Sequence, residues 1–299
     1  MIVNQVNLHG LSIAYSTAFN RSMEAVESNH QRIATVVPSA AGEQSYKWLG
    51  QMPMMKEWIG ERELQSLSAH EYTIKNKKYE ASYGVLRDEI EDDRYGIYTP
   101  YFSSMGETAG LHADELVFGA LRDGFEEKCY DGKPFFAENH KSGEKTFSNK
   151  GKEKLTAASY MKARTSMMGI TGDKGKALRL VPDLLVVSPA NEERARVLLE
   201  AEQINGTTNV LKGTAQLLVE PMLAGENEEA WYLLCTKRFL KPLIYQVRKK
   251  IKFTALTKDT DTNVFMQDTY LYGADGRSNA GYGFWQMAYG STGEEEAEG

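Results

Sequence analysis

The segment TPYFSSMGETAGLHADELVFGALRDG, residues 99–124, decides the architecture of this 299-residue chain. Thr99 followed by Pro100 is a typical helix start, because a capping residue precedes a proline whose missing N–H has no intrahelical partner in the first turn. Apolar residues then recur at three- and four-residue spacing, at Phe102, Met105, Ala109, Ala113, Leu116, Val117, Ala120 and Leu121. The pattern predicts one amphipathic helix of about 23 residues and about 35 Å, long enough to cross a small domain.

The residues before this helix predict an arm and an exposed strand. Apolar spacing between Leu8 and Val26 predicts an amphipathic helix from about 11 to 28. The segment YTIKNKKYEASYGVL, residues 72–86, alternates in part between apolar or aromatic and polar residues. That alternation predicts a long strand or a hairpin with one exposed face.

The residues after it predict an ordered loop over 130–151, an α/β unit and a β-rich end. The unit has a helix around 156–168, the apolar strand LLVVS at 184–188 and a helix that Ser188 and Pro189 open. Further strands are predicted at 231–234, 243–247, 251–257, 264–272 and 281–289. The terminal GEEEAEG, residues 293–299, is expected to be a disordered acidic tail.

Two segments are unusually rich in large apolar side chains. YKWLGQMPMMKEWI, residues 46–59, is either a pair of core strands or an exposed adhesive loop, since Met and aromatic residues dominate the centres of interfaces. GADGRSNAGYGFWQMAYGS, residues 273–291, alternates glycines with Tyr282, Phe284, Trp285 and Tyr289. Its glycines allow close approach of backbones. We expect most of its aromatic side chains to be core residues near the long helix.

Composition excludes several classes of protein. With 41% hydrophobic and 25% charged residues the chain has the make-up of a folded soluble protein, and no run approaches the roughly 20 apolar residues that cross a bilayer. The N-terminus lacks the pattern of a signal peptide, so we expect the chain to stay where it is made. Cys129 and Cys235 are too few for a disulfide framework and are expected to be buried thiols.

The net charge of −6 predicts a surface that repels nucleic acid as a whole. The densest basic cluster, RKKIK at 248–252, is either a nucleic-acid patch or the solvated edge of a strand or helix.

No motif for catalysis or for a phosphate loop is present in the sequence. Asp88, Glu91 and Asp92 could share a helical face and hold Mg²⁺, although an acidic first turn of a helix explains them better. Glu138, Asn139 and His140 could form a general-base site, but no second histidine or cysteine pair lies at ligand spacing. We therefore expect no catalytic residue, no cofactor and no metal.

The order of these features resembles the tailed-phage major capsid fold named for phage Hong Kong 97. That α+β fold has an N-terminal arm, an extended loop, a spine helix, a peripheral domain and an axial domain. Five strings are similar to the major head subunit of Mu-like phages and prophages: KWLGQMPMMKEWIGER (47–62), HEYTIKNKKYEASYGVLRDEIEDDRYGIY (70–98), DELVFGALRDGF (114–125), DGKPFFAENH (131–140) and GRSNAGYGFWQMAYG (276–290).

The resemblance implies a division of the chain. The N-terminal arm would be 1–45, the extended β loop 46–85, and the spine helix with the peripheral domain 86–154. The axial domain would be 155–245, and 246–299 would hold C-terminal strands that return to the peripheral domain. The candidate subunit contacts are Trp48, Met52, Met54, Met55, Trp58, Tyr72, Ile74 and Phe19. The alternative, that these side chains pack only within their own subunit, stays open.

The function implied is that of a major capsid protein. Hexamers and pentamers would form an icosahedral head around double-stranded DNA, without sequence-specific binding and without a membrane. Because no long charged helical segment precedes the arm, the resemblance implies a separate scaffold protein, along with a head maturation protease and a portal. The shell would assemble in the host bacterial cytoplasm and end as the virion capsid.

Two other functions are compatible with the residues. An encapsulin-like shell would keep the fold and enclose cargo in place of DNA. A metal-dependent nuclease would use Asp88, Asp92 and His140.

Overall fold

The computed structural model describes residues 5–49, 72–92, 95–172, 175–204 and 206–295. The α-helices in these ranges are α1 (Gln5–Ala25), α2 (His30–Ile33), α3 (Arg87–Glu91), α4 (Thr99–Arg122), α5 (Ala157–Met168), α6 (Glu192–Glu200) and α7 (Thr262–Gln267). Short 3₁₀ turns cover Tyr95–Tyr98, Asp123–Phe125, Pro189–Asn191, Pro221–Leu223 and Trp285–Met287.

The strands run from the arm to the C-terminal end of the described chain. They are β1 (Ala34–Pro38), β2 (Glu43–Ser45), β3 (Thr73–Lys75), β4 (Lys77–Leu86), β5 (His140–Ser142), β6 (Lys145–Phe147), β7 (Lys150–Glu153), β8 (Leu184–Val187), β9 (Gln203–Ile204), β10 (Thr207–Thr208), β11 (Gln216–Val219), β12 (Trp231–Leu234), β13 (Leu243–Leu256), β14 (Thr269–Tyr282) and β15 (Ala288–Glu295).

Two larger sheets organise these strands. The first has the order β1-β13-β14-β4, with β13 and β14 paired as a long antiparallel hairpin and β4 on its outer edge. The second has the order β11-β8-β12-β15-β7, and its central strands β8 and β12 are buried along their whole length. The chain is therefore an α+β fold, as predicted.

Helix α4 confirms the prediction for 99–124 and joins two separate cores. Its first half carries Phe102 and Met105 into a core shared with α1 and the first sheet. Its second half carries Val117, Phe118 and Leu121 into the larger core around the second sheet. Burial of one such side chain contributes about 1.5 to 3 kcal/mol, so the helix is held at both ends by apolar packing.

Helix α1 begins earlier than the predicted residue 11 and packs directly on α4. Its buried face is Leu8, Leu11, Tyr15 and Phe19, at helical spacing. The Tyr15 ring lies 4.4 Å from the Phe102 ring of α4 and 5.2 Å from the Tyr272 ring of β14. The arm helix is thus part of the core of its own subunit.

The two helices approach so closely that only glycine fits on α4 at the crossing. A Cβ atom at Gly106 would overlap the backbone carbonyl of Phe19, and one at Gly110 would lie 2.8 Å from the carbonyl oxygen of Met23. Backbone atoms cannot move aside as a flexible side chain can. Gly106 and Gly110 therefore set the distance between α1 and α4.

The end of the β13–β14 hairpin differs from the prediction. Residues 264–267 are helical in α7, and the predicted strand there is correct only from Thr269 onward. Asp268 takes a left-handed conformation at φ 49° and ends the helix. The side chain of Asn263 donates to the carbonyl oxygens of Leu256 and Thr269, so it closes the hairpin end with hydrogen bonds that no periodicity reveals.

The aromatic block after β14 also departs from a single strand over 281–289. The backbone N–H of Gly283 donates to Pro242, a 3₁₀ turn follows at Trp285–Met287, and β15 then pairs with β12 in the second sheet. Tyr282, Phe284 and Trp285 are buried, and the Tyr282 hydroxyl donates to the Ala120 carbonyl of α4 at 2.9 Å. These aromatic residues are core residues, as expected.

Three regions contain more strand than the sequence predicts. The expected loop over 130–151 contains β5, β6 and the start of β7. The start of the expected disordered tail, Gly293 to Glu295, lies in β15, and 296–299 lie outside the described residues. Strands β13 and β14 are each continuous over 14 residues.

We predict that Gly106→Ala destabilises the chain by about 1 to 3 kcal/mol, because the added methyl group overpacks the α1–α4 crossing. Gly119→Ala is the matched control in the same helix, since a Cβ there meets nothing within 4 Å. The control should stabilise the chain by up to about 1 kcal/mol through helix propensity. Urea unfolding of both purified variants measures the difference, and equal effects would contradict the proposed constraint.

Candidate assembly surface

The structure describes four of the predicted contact residues. Phe19 and Ile74 are buried in the chain's own cores, so their side chains are not exposed on this subunit. Trp48 and Tyr72 are half-buried and pack at the edge of the larger core, with the Trp48 ring 5.9 Å from the Phe284 ring. Met52, Met54, Met55 and Trp58 lie outside the described residues. An interface role for these residues stays a prediction.

The segments on either side of 50–71, β2 with Tyr46 and β3 with Tyr72, form a base that is bonded to the first sheet. Strands β2 and β3 pair antiparallel, and the backbone N–H of Tyr46 donates to the Tyr72 carbonyl at 2.8 Å. Gly281 of β14 faces this base, because a Cβ there would lie 2.6 Å from Ile74 Cδ1. The Tyr72 hydroxyl accepts the Tyr282 N–H at 3.0 Å. The position of the base is therefore fixed on both sides.

Gln246 of β13 is the centre of this attachment. Its side chain is fully buried; its Nε2 donates to the Ile74 carbonyl at 3.1 Å and to Asn76 Oδ1 at 2.8 Å. Its Oε1 accepts the Tyr46 hydroxyl at 2.7 Å. Asn76 in turn donates to the Ala41 carbonyl at 2.9 Å. One amide thus connects both ends of the base through the Tyr46 hydroxyl, the Ile74 carbonyl and Asn76 Oδ1.

We predict that Gln246→Ala lowers the free energy of unfolding by about 2 to 4 kcal/mol, because it leaves several buried polar groups of the base without partners. Hydrogen exchange should rise at the amides of β2 and β3. Gln267→Ala, on the exposed side of α7, is the control and should change neither quantity. Unchanged exchange at β2 and β3 in the Gln246 variant would show that the base is held by other contacts.

Asp114 of α4 fixes the segment that follows α1. Its buried carboxylate accepts the Ser28 hydroxyl at 2.6 Å, the Asn29 N–H at 2.9 Å and the His30 N–H at 2.7 Å, and it lies 3.2 Å from His30 Nδ1. Burial alone raises the pKa of the Asp114 carboxyl, but these hydrogen bonds outweigh burial and lower the pKa below its ordinary value. The charged form is therefore the one that holds the arm.

Glu220 lies close to the same cluster from the second half of the chain. Burial raises the pKa of its carboxyl, and the charge of Asp114 raises that pKa further. Its side chain accepts the Met222 N–H at 3.3 Å. Residues of the arm, of α4 and of the Pro221–Leu223 turn thus meet around two buried carboxyl groups.

We predict that Asp114→Asn lowers the free energy of unfolding by about 2 to 3 kcal/mol at pH 7, because hydrogen bonds to a charged acceptor are lost. Since the folded pKa of Asp114 is below the unfolded one, its contribution is complete above about pH 5 and is lost as the pH falls through about 4 and below. The stability difference between wild type and variant should therefore shrink in acid. Asp259→Asn, at an exposed carboxylate, is the control for urea unfolding at each pH. A constant difference would contradict the assignment.

One end of the first sheet carries exposed apolar side chains. Phe265 and Met266 of α7 are 81% and 70% exposed, and Leu86 and Leu256 are about half exposed. Leu86 is paired with Thr269 and Leu256 with Leu271, so all four lie at the α7 end of the sheet. Singly exposed apolar residues are common, but a group at one end of a well-packed sheet is typical of a contact surface. We name these four residues the apolar end.

A groove of about 490 Å³ lies between α4 and the first sheet. Tyr79, Tyr101 and Ile251 contribute apolar walls, and the carboxylates of Glu80, Glu115 and Asp275 also line it. His112 lies here with its ring 4.2 Å from that of Tyr79, and its Nε2 is buried without a hydrogen-bond partner. The groove therefore combines apolar surface with carboxylates, of which Asp275 is already ion-paired with Lys249.

The basic cluster 248–252 lies on β13. Lys249 is opposite Arg277 of β14, which is opposite Lys78 of β4, so three cations form a row across the sheet. Lys249 also forms an ion pair with Asp275. The row is a solvated sheet surface with partial charge compensation.

The residues considered for catalysis are not brought together. Within the described ranges, Asp88, Glu91 and Asp92 belong to no group of three with ligand atoms at metal-binding distance. Arg87 Nε donates to Glu91 at 3.1 Å, as in an ordinary helical ion pair. His140 is fully buried, with its ring stacked 4.3 Å from that of Trp285, so it cannot reach a solvent-borne substrate.

A group that sequence patterns missed surrounds His140. Cys129 and Asp131 lie beside it, and the three ligand atoms are within 4.8 Å of one another. Burial, followed by the charge of Asp131, raises the pKa of the Cys129 thiol well above its ordinary value. The spacing Cys-x-Asp-x₈-His matches no common metal motif, so only folding reveals the group. Cys235 is also a buried free thiol, as expected.

In the part of the chain that the structure describes, no helix combines the length and hydropathy that crossing a membrane requires.

The chain is similar in sequence to known proteins. The family model described as "Mu-like prophage major head subunit gpT" matches residues 8–152, 145–223 and 222–298. The chain is 35% identical to the Mu-like prophage FluMu major head subunit of Haemophilus influenzae over 288 residues, covering 96% of this chain and 74% of that protein. It is 33% identical to the major capsid protein of Escherichia phage Mu over 294 residues, covering 98% and 76%.

A solved structure gives the same result for the fold. The chain is similar to a chain of the procapsid of bacteriophage JBD30, with 34% sequence identity and a TM-score of 0.63. The match covers 99% of this chain and 77% of that chain.

Proposed function

The chain belongs to the family of Mu-like prophage major head subunits, and from this premise we propose that it assembles as hexamers and pentamers into an icosahedral head around double-stranded DNA. It is a capsid structural protein with the fold of tailed-phage capsids. An encapsulin-like role is not favoured, because these relatives, each at least 33% identical, are phage and prophage head proteins.

The observation that carries the proposal is the apolar end. The chain completes two apolar cores of its own and still exposes Phe265 and Met266 at one end of a rigid sheet. In a monomeric protein such side chains would cost solubility, whereas in a shell each contact buries on the order of 1,000 Å² or more. We assign the apolar end to contact with a second copy of the chain.

The groove beside α4 is the second surface that we assign to a neighbour. Its apolar walls and the acidic groups Glu80, Glu115 and Asp275 fit a segment that combines large apolar side chains with positive charge. The segment 46–71 supplies the apolar part of this match through Trp48, Met52, Met54, Met55 and Trp58, and its cations Lys47, Lys56 and Arg62 stand beside Glu57, Glu61, Glu63 and Glu71. We propose that this loop of one subunit lies over the groove of the next, with Tyr72 at its base.

We also propose the division into arm, extended loop, spine helix with peripheral domain, axial domain and returning C-terminal strands. The larger sheets support two bodies joined by α4, with β15 paired to β12 of the segment 155–245 and to β7 of the segment 86–154. The C-terminal segment would then contribute to both bodies.

The partners follow from the same role. We propose a separate scaffold protein, a head maturation protease and a portal, with assembly in the bacterial cytoplasm before the virion is complete. The net charge of −6 suits a container for DNA, because a strongly basic lining would hold the polymer and hinder its movement. Catalysis is not part of the proposal, since Asp88, Asp92 and His140 are occupied in local or buried contacts or lie apart in the described chain.

We predict that Phe265→Ser combined with Met266→Ser reduces the yield of particles by about tenfold or more, because burying each side chain at a contact contributes about 1.5 to 3 kcal/mol. The thermal midpoint of the unassembled subunit should stay within a few degrees, since both side chains are exposed. Gln267→Ser in the same helix is the control. Co-expression with the scaffold protein, followed by sedimentation and electron microscopy, measures the yield. Normal particle numbers in the double variant would remove the apolar end from the interface.

A further inference from the structure

The segment 127–140 folds back on itself and places three different ligand types in one buried position. The backbone N–H of Cys129 donates to the Lys133 carbonyl at 2.8 Å, and that of Phe135 donates to the Glu127 carbonyl at 3.0 Å. This turn brings Cys129 and Asp131 beside His140 of β5. Cys129 is 4% exposed and His140 is fully buried, so neither is a surface group that meets an ion by chance.

Both ring nitrogens of His140 face acceptor oxygens. Nε2 lies 3.2 Å from the Phe135 carbonyl oxygen, and Nδ1 lies 2.6 Å from Asp131 Oδ2. A neutral imidazole has one N–H, whereas both neighbours are acceptors. With its N–H on Nε2, the imidazole would offer the Nδ1 lone pair on the side of Asp131, and both groups could bind one metal ion once their hydrogen-bond separation of 2.6 Å widens.

Cys129 supplies the third ligand from the other side of the same carboxylate. Its Sγ donates to Asp131 Oδ1 at 3.2 Å. The thiol, the carboxylate and the imidazole together match the sulfur, oxygen and nitrogen ligands of zinc. A histidine that donates its remaining N–H to a backbone carbonyl is the usual second-shell arrangement of a metal-bound imidazole.

We propose that Cys129 Sγ, Asp131 Oδ and His140 Nδ1 form a site for a borderline-soft divalent transition metal such as Zn²⁺, with the Phe135 carbonyl orienting the imidazole. Binding releases the thiol proton to solvent, and the imidazole keeps its single N–H on Nε2, facing the Phe135 carbonyl. The Asp131 side chain is 13% exposed, which leaves a path for solvent as the fourth ligand.

A metal ion at this site would link two parts of the folded subunit. His140 stacks on Trp285 at an interplanar angle of 7°, and Trp285 lies in the turn by which the chain crosses from the first sheet to the second. A metal ion would therefore connect the turn at 129–133 with that crossing. This inference does not depend on the proposed shell function, because it concerns the folded subunit alone.

The experiment uses the purified full-length chain and Zn²⁺ or Co²⁺ as the probe. We expect about one tightly bound zinc per chain by elemental analysis, a lower thermal midpoint after chelation, and recovery with one equivalent of zinc. Co²⁺ should give the near-ultraviolet charge-transfer band of a thiolate ligand. Cys129→Ser should abolish this band and weaken zinc binding by at least about tenfold. Cys235→Ser, at the other buried thiol, is the matched control and should keep both properties.

Three results would overturn the site. The first is that wild-type protein contains no zinc and that neither chelator nor added zinc changes its thermal midpoint. The second is a cobalt spectrum without the thiolate band. The third is a thiolate band that persists in the Cys129→Ser variant. The first would assign the cluster to a hydrogen-bonded group of thiol, carboxylate and imidazole without a metal ion. If Cys129→Ser does not fold, the chelation and cobalt measurements on wild type still decide. If wild-type protein without zinc still assembles into particles, the metal site is wrong and the proposed shell function is unaffected.

Discussion

The close contact between α1 and α4 is the constraint on which the rest of the structure depends. Gly106 and Gly110 let the backbones meet, and this brings Tyr15 and Phe19 into the aromatic core under the first sheet. Because the other half of α4 packs in the larger core, the position of α1 is transmitted along one rigid helix to the second sheet. A helix shared by two cores couples them mechanically, since close-packed interiors cannot deform gradually.

Buried polar groups then decide where the chain leaves these cores. Gln246 holds the base of the segment 50–71, and Asp114 holds the turn that follows α1. Apolar packing provides most of the stabilisation but tolerates small displacements, whereas a buried hydrogen bond has a defined length and direction. The result is a subunit whose body is fixed while its apolar end and groove face outward. That division suits a protein that must fold alone and then assemble.

The chemical role of His140 depends on its environment in the folded chain. In the sequence it lies in a polar segment and resembles a general base. In the structure it is fully buried between Asp131, the Phe135 carbonyl and the Trp285 ring. Access to substrate is lost, and the remaining chemistry is that of a buried hydrogen-bonding group or a metal ligand. Burial, which a single sequence does not report, decides between these roles.

Amphipathic periodicity in the sequence was sufficient for α4 and most of α1. The apolar runs of β8 and β12 were identifiable as strands by their length, because four residues are too few for a buried helix. Those runs and the quoted strings were also sufficient for the family. The sequence did not determine the helix at 262–267, the crossing of the final aromatic block into the second sheet, or the burial of Phe19 and Ile74. Nor did it reveal the apolar end or the group around His140. Each of these depends on contacts between residues far apart in the chain, such as Gly283 with Pro242 and β15 with β12, and only the tertiary structure brings such residues together.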